Sequence, residues 1–243
     1  MDHFPKIRKM GERAYLVEFE QKISAEVLQK VLFYKEIIQK KLIKEKVEVI
    51  NTYNSLLITW HESIEDAYSA FRELEKLIET ANIQEKSQCR IFRIPVCYDE
   101  SFGLDLAEIS SAKNLSREEI IRLHSSANYV IYFIGFLPGF LYLGGLPDEL
   151  HFPRRKEPRL EVQKGAVGIG EKQTGIYPQK SPGGWNIIGN SPVPLFEVHS
   201  DPPSPFLPGD RIRFYPVSGE EHEEISKQVE SGEFKFKMAE DES

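Results

Sequence analysis

The chain has 243 residues, 40% of them hydrophobic and 28% charged, with a formal charge of −7. That length suits one large domain or two small ones with real cores, and the composition is that of an ordinary soluble globular protein. Residues 219–243 hold nine acidic against three basic side chains, so −6 of the charge sits there; the near-neutral remainder argues against a nucleic-acid footprint, which needs a basic face, and no apolar run reaches the roughly 18 residues of a membrane span.

The N-terminus, Met1-Asp2-His3-Phe4-Pro5-Lys6, shows no apolar signal region. Cys89 and Cys97 lie eight residues apart in an extended stretch. At the usual strand rise that is roughly 26 Å, beyond disulfide reach. Two free thiols and a cytoplasmic location are expected.

In chain order, residues 13–19 are a predicted strand. Ser24 caps a predicted helix in which Val27, Leu28, Val31, Tyr34 and Ile38 share one stripe. Residues 47–50 and 56–60 are predicted strands around a turn at Tyr53-Asn54-Ser55. Ser63-Ile64-Glu65-Asp66 resembles a capping box before a helix that places Ala67, Phe71, Leu74, Leu77 and Ile78 inward. Residues 90–96 give the next strand. The order β-α-β-β-α-β is that of the split βαβ, ferredoxin-like unit, which predicts a first domain over residues 1–97.

A second domain is expected over residues 98–243. Residues 104–110 hold one or two helical turns. Ser116-Arg117-Glu118-Glu119 is a capping box that opens a helix running through Ile120, Ile121 and Leu123 to His124. Residues 129–134 are nearly all apolar, as in a strand buried on both faces. Brief strands separated by turn signals follow, the last over 210–215 after Pro208-Gly209, a pattern that suits a closed or nearly closed β-barrel. Residues 201–205, proline-rich, read as a surface loop. Residues 220–231 suit a polar helix, and the charged tail behind it is expected to fray. The class is α+β.

Residues 135–189 hold 11 of the 16 glycines, interleaved with prolines, aromatics and arginines. Such a block cannot be helical, because inside a helix glycine costs about 1 kcal/mol and proline about 3 kcal/mol. It suits short strands and tight turns that bring backbone close to something else, and the function is placed here. Familiar catalytic signatures are absent. Gly170-Glu171-Lys172-Gln173-Thr174-Gly175 is no phosphate-binding loop, and Gln173 stands where a dinucleotide fingerprint needs its third glycine. Gln179 before Ser181 breaks the nucleophile elbow. The six histidines and two cysteines have no metal-ligand spacing.

Recognition groups remain. Arg154, Arg155 and Arg159 flank prolines that stiffen their turn, and each guanidinium suits a carboxylate or phosphate fork as well as a surface ion pair to Glu157 or Glu161. His124 reads equally as a proton carrier or as a cation closing its helix. Tyr177 and Trp185 suit the walls of a ligand slot or plugs in a core. Gln173 and Thr174 offer neutral hydrogen bonds, and Gly183 and Gly184 offer backbone N–H groups for an oxyanion.

Together, His124, Tyr129-Val130, Gly135-Phe136-Leu137-Pro138-Gly139-Phe140-Leu141-Tyr142-Leu143, Pro153-Arg154-Arg155, Pro158-Arg159, Gln173-Thr174-Gly175-Ile176-Tyr177-Pro178 and Ser181-Pro182-Gly183-Gly184-Trp185 resemble the family once called allophanate hydrolase subunit 1. The resemblance spans essentially the whole chain, departing at Gln163-Lys164 and Gly170-Glu171. It implies a ferredoxin-like N-terminal domain and a cyclophilin-like β-barrel. It implies an ATP-dependent 5-oxoprolinase subunit, inactive alone, that shares its site with subunits A and C and helps open 5-oxo-L-proline to L-glutamate.

On that implication His124, Arg154 and Arg159 are the catalytic candidates. Gln173, Thr174, Tyr177, Ser181, Gly183, Gly184, Trp185, Phe136 and Phe140 are the substrate-binding ones. ATP is bound with the partner subunits, and this chain carries no metal and no biotin. The same family includes a KipI-type inhibitor of a sporulation sensor histidine kinase and the carboxyltransferase half of a biotin-dependent, urea carboxylase-like enzyme. The motifs are common to all three.

Overall fold

The computed structural model describes residues 5–42, 46–81 and 89–239. The chain divides into two compact units, Met1–Gln88 and Cys89–Ser243.

The first unit runs β1 (Lys6–Met10), β2 (Ala14–Glu18), α1 (Ala25–Lys41), β3 (Val47–Asn51), β4 (Ser55–Trp60) and α2 (Ala67–Thr80). Its sheet is antiparallel, in the order β1-β2-β4-β3. Alternation turns Tyr15 and Val17 of β2, and Leu56, Ile58 and Trp60 of β4, onto one face, where the helices cover them. The α1 stripe is the expected one, Val27, Leu28, Val31, Tyr34 and Ile38, and Ser24 accepts the capping bond from Val27 N. In α2 the cap is Asp66, which accepts from Ser69 N at 3.0 Å, so the expected box is replaced by a single acidic cap. Leu74 and Ile78 are the buried anchors of that helix.

The expected last strand of this unit belongs to the second one. β5 (Ile91–Cys97) is buried at every position except Arg93, so it needs partners on both edges. It finds β13 (Arg211–Val217) in a seven-residue parallel register, from Arg211↔Ile91 to Val217↔Cys97. The sheet edge beside β2 is taken instead by β1, a short charged strand with no apolar alternation to reveal it. The boundary accordingly falls at 88/89 and not at 97/98.

The second unit continues with α3 (Leu106–Lys113), α4 (Arg117–Ser126), β6 (Tyr129–Ile134), β7 (Leu141–Gly144), β8 (Arg159–Val162), β9 (Ala166–Gly170), β10 (Gln173–Ile176), β11 (Ser181–Gly183) and β12 (Asn186–Asn190). After β13 come α5 (Gly219–Glu230) and β14 (Lys237–Ala239). Seven strands in the order β12-β9-β10-β7-β6-β13-β5 close into a barrel where Asn190 of β12 pairs with Cys97 of β5. β8 and β11 form a separate two-stranded ribbon. The fold is α+β with a closed barrel.

Ile94, Val96, Ile131, Leu141, Leu143, Val167, Ile169, Ile176, Ile188, Ile212 and Phe214 fill the barrel core. β6 is less buried than its composition suggests, with Val130, Phe133 and Ile134 only partly covered. Ser116 caps α4 through Glu119 N at 3.1 Å, and Ser218 with Glu221 makes a full capping box on α5. Part of the expected fraying tail is ordered: Lys237, Met238 and Ala239 pair with Arg93, Phe92 and Ile91 of β5. Phe236, just before them, packs against Phe92 and Phe206, which anchors the strand.

Candidate functional site

The glycines of β9 and β10 make room for one ring. Trp185, 5% exposed, lies across their backbone. A Cβ on Gly170 would stand 2.6 Å from the indole Nε1, one on Gly175 3.0 Å from Cζ3, and one on Gly168 3.2 Å from the Trp185 Cβ. Real side chains do not approach as closely as at Gly170, so that position cannot take a Cβ unless Trp185 shifts, and Gly168 and Gly175 could take one only if the indole gave way by a few tenths of an ångström. Phe140 meets Trp185 edge-on at 5.5 Å, Tyr177 edge-on at 5.5 Å and Tyr142 at 5.0 Å. Phe133 stacks on Tyr142 at 4.1 Å, and Phe136, 67% exposed at a left-handed φ of 69°, meets Phe140 edge-on. Gly183 lies against the Tyr177 ring, which leaves no room for a side chain there. The result is an aromatic layer centred on Phe140.

Two prolines and several cross-links hold the arginine loop beside this layer. Phe152 and Glu171 exchange backbone hydrogen bonds at 3.0 and 2.7 Å, Pro153 O accepts from Asn186 Nδ2 at 2.8 Å, and Arg155 N donates to Gly184 O at 2.8 Å. The arginines divide. Arg159 donates to both oxygens of Asp105, at 2.8 and 2.7 Å, and Arg155 donates to Asp105 Oδ1 at 2.9 Å. Both are fixed to the protein itself, which excludes Arg159 as a free fork for substrate. Arg154 is exposed and has no hydrogen bond or ion pair among the described residues; its guanidinium carbon stands 6.0 Å over the Trp185 ring. Burial raises the pKa of Tyr177, opposed first by a hydrogen bond with the Trp185 backbone and then by the Arg154 and Arg159 cations; burial likewise raises that of Tyr142, again opposed by Arg154. Both phenols are therefore neutral donors beside a cation.

His124 and Thr174 lie elsewhere, inside the barrel. His124 is fully buried and stacked on Phe214 at 4.6 Å. Its Nδ1 meets Tyr98 Oη at 2.7 Å and its Nε2 meets Thr174 Oγ1 at 2.9 Å. Burial pushes its pKa down to about 3, so the ring is neutral. That is a core bridge, and the proton-carrier reading of His124 does not survive it.

Strand alternation separates Thr174 from its neighbours: Gln173 and Gly175 share the other face of β10, the one that carries Trp185. Ser181 is buried and donates to Pro182 O at 3.2 Å. Gly183 pairs with Arg159 in the ribbon, and the Gly184 carbonyl is engaged by Arg155. The structure thus gathers Phe136, Phe140, Arg154, Tyr177, Gly183, Gly184 and Trp185, and leaves out His124 and Thr174. Sequence reasoning missed Asp105, Tyr142 and Phe133. No group of three metal-ligating side chains occurs among the described residues, and no described helix is long and apolar enough to cross a membrane.

The family model described as carboxyltransferase domain, subdomain C and D, matches residues 5–206. The chain belongs to this family. It is 43% identical over 170 residues to the 5-oxoprolinase B subunit of Escherichia coli O157:H7, covering 70% of this chain and 78% of that one. With the 5-oxoprolinase B subunit of Bacillus subtilis (strain 168) it shares 33% identity over 233 residues, 89% of this chain and 95% of that one. The crystal structure of TTHA0988 aligns with a TM-score of 0.74 and 32% identity over 85% of this chain. The present chain spans 40% of that longer one.

Proposed function

We propose that this chain is the B subunit of a 5-oxoprolinase and contributes, with subunits A and C, to ATP-dependent opening of 5-oxo-L-proline to L-glutamate. The observation that carries this reading is the 43% identity to the 5-oxoprolinase B subunit of Escherichia coli O157:H7. In the reaction ATP would supply the phosphoryl group that makes the lactam carbonyl a better electrophile; one water adds and the C–N bond breaks, a second water releases the phosphoryl group as phosphate, and the balance is 5-oxo-L-proline, ATP and two waters to L-glutamate, ADP and phosphate. Arg154 then holds the substrate carboxylate by a charge-assisted fork. The layer around Phe140 and Trp185 lies beneath the apolar face of the ring, and Gln173 and the Tyr177 hydroxyl offer neutral hydrogen bonds. Asp105, Arg155 and Arg159 hold the loop in place. The nucleotide falls to the partner subunits, because no glycine-rich phosphate cradle occurs in this sequence.

In fold terms the reading makes the second unit a cyclophilin-like barrel. It makes the first a ferredoxin-like variant in which β1 takes the edge normally held by a fourth strand. The place of action is the cytoplasm. The test is reconstitution: purified chain, mixed with subunits A and C, is expected to hydrolyse ATP only when 5-oxo-L-proline is present, and the chain alone is expected to be inactive. A verified three-subunit complex without such turnover would refute the assignment.

A further inference from the structure

Asp105 stands before the first turn of α3, yet its side chain caps nothing in that helix. It is 4% exposed, and four donors fill it. Arg155 Nη1 and Arg159 Nη2 reach Oδ1 at 2.9 and 2.7 Å, while Arg159 Nη1 and Ile187 N reach Oδ2 at 2.8 and 2.6 Å. A carboxylate accepts about four such bonds, so Asp105 is saturated. Two of its three partner residues, Arg155 and Arg159, lie on the arginine loop, and the third, Ile187, follows Trp185 by two residues. One buried group therefore ties the loop and the indole segment to a common point.

Arg154 lies next to those anchors in the chain and over the Trp185 ring, with its neighbour Arg155 fixed through both main chain and side chain. Two guanidinium groups on one carboxylate leave the cluster cationic, and Arg155 Nε is buried without a partner among the described residues. Glu108 approaches Arg155 at 3.6 Å but is 62% exposed, so solvent screens it. The site thus retains a local surplus of positive charge that suits a small carboxylate.

We infer that Asp105 is a positioning residue, which locks the arginine loop so that Arg154 meets the substrate carboxylate and acts on the reaction through Arg154. This rests on the reading of Arg154 as the carboxylate-binding group. In the reconstituted complex, Asp105→Asn is expected to raise KM for 5-oxo-L-proline by about tenfold or more, with kcat changed by less than about threefold. Asp105→Glu restores part of the loss. In an Arg154→Ala background the same Asp105→Asn change is expected to add less than about twofold, because both lesions act on one contact. An unchanged KM in the wild-type background, or an equal rise with Arg154 absent, would overturn the inference.

A second arm needs no turnover. In chain labelled with 5-fluorotryptophan and carrying Trp60→Phe, Asp105→Asn is expected to move the fluorine resonance of Trp185 in the same direction as Arg154→Ala does; an unmoved resonance overturns the inference. Absence of 5-oxoproline-dependent ATP hydrolysis in the wild-type complex would refute the functional reading, and this fluorine arm then decides the role of Asp105 by itself. If Asp105→Asn does not fold, Arg159→Lys, which keeps the charge and loses the fork, carries the same measurements.

Discussion

His124 and Thr174 meet at 2.9 Å, Nε2 to Oγ1, inside the barrel. The Thr174 hydroxyl donates to Gly168 O at 3.0 Å, so its proton is already used. The Nε2–H must then donate to Thr174, which leaves Nδ1 to accept from the Tyr98 hydroxyl at 2.7 Å. The chain Tyr98–His124–Thr174–Gly168 is complete with a neutral imidazole and has no place for a second ring proton.

A pH dependence follows from this. Burial holds the folded pKa at about 3 against the ordinary 6.5. Below the ordinary value the unfolded chain takes up a proton that the folded chain refuses. Stability is thus fully present above that value and falls with pH at up to about 1.4 kcal/mol per unit until the folded pKa is reached. His124→Gln removes this component, so the gap in urea stability between wild type and variant is expected to narrow as the pH drops. A gap that stays constant would mean that His124 titrates normally in the folded protein.

The aromatic layer makes two glycine effects diverge. Gly170→Ala drives a methyl into the Trp185 indole, with contacts of 2.6–2.8 Å, and is expected to cost about 1–3 kcal/mol. Gly184→Ala meets only Pro158, at 3.7 Å or more, and is expected to be near neutral for stability. Thermal melts of the two variants check this; equal losses would place Trp185 away from the β9–β10 backbone.

The terminal strand gives a third expectation. Phe236 packs on Phe92 at 5.7 Å and on Phe206 at 5.2 Å, so Phe236→Ala is expected to cost about 2 kcal/mol and to speed amide exchange in residues 237–239. Unchanged stability and exchange would show that β14 contributes nothing to the barrel.

The division at 88/89 predicts how fragments behave. Residues 1–88 are expected to melt cooperatively. Residues 1–97 carry β5 without β13, which leaves an apolar strand unpaired on both edges, and are expected to aggregate. The reverse behaviour would return β5 to the first unit.

What the sequence made legible was local. The α1 stripe and the Ser24 and Ser116 caps are short-range, and periodicity reads them directly. β5 has the same apolar look in either unit, and only β13, more than a hundred residues later, decides where it pairs. The glycine block stands out by composition alone, but its glycines serve Trp185 before any ligand. Nothing in the sequence singles out Asp105, because its arginine partners lie 50 and 54 residues away, beyond any motif. For the same reason Arg154 and Arg159 look equivalent in sequence and differ in the fold.

That difference gives the most direct measurement: Arg154→Ala and Arg159→Ala in the complex with subunits A and C, each with its melting temperature and its KM for 5-oxo-L-proline. Arg154→Ala is expected to keep the wild-type melt and lose about one to two orders of magnitude in KM or turnover, the loss of a charge-assisted hydrogen bond of roughly 1.5–3 kcal/mol. Arg159→Ala is expected to lower the melt, because Asp105 loses its bidentate partner. Wild-type kinetics in Arg154→Ala would contradict the account and move the substrate carboxylate to another cation.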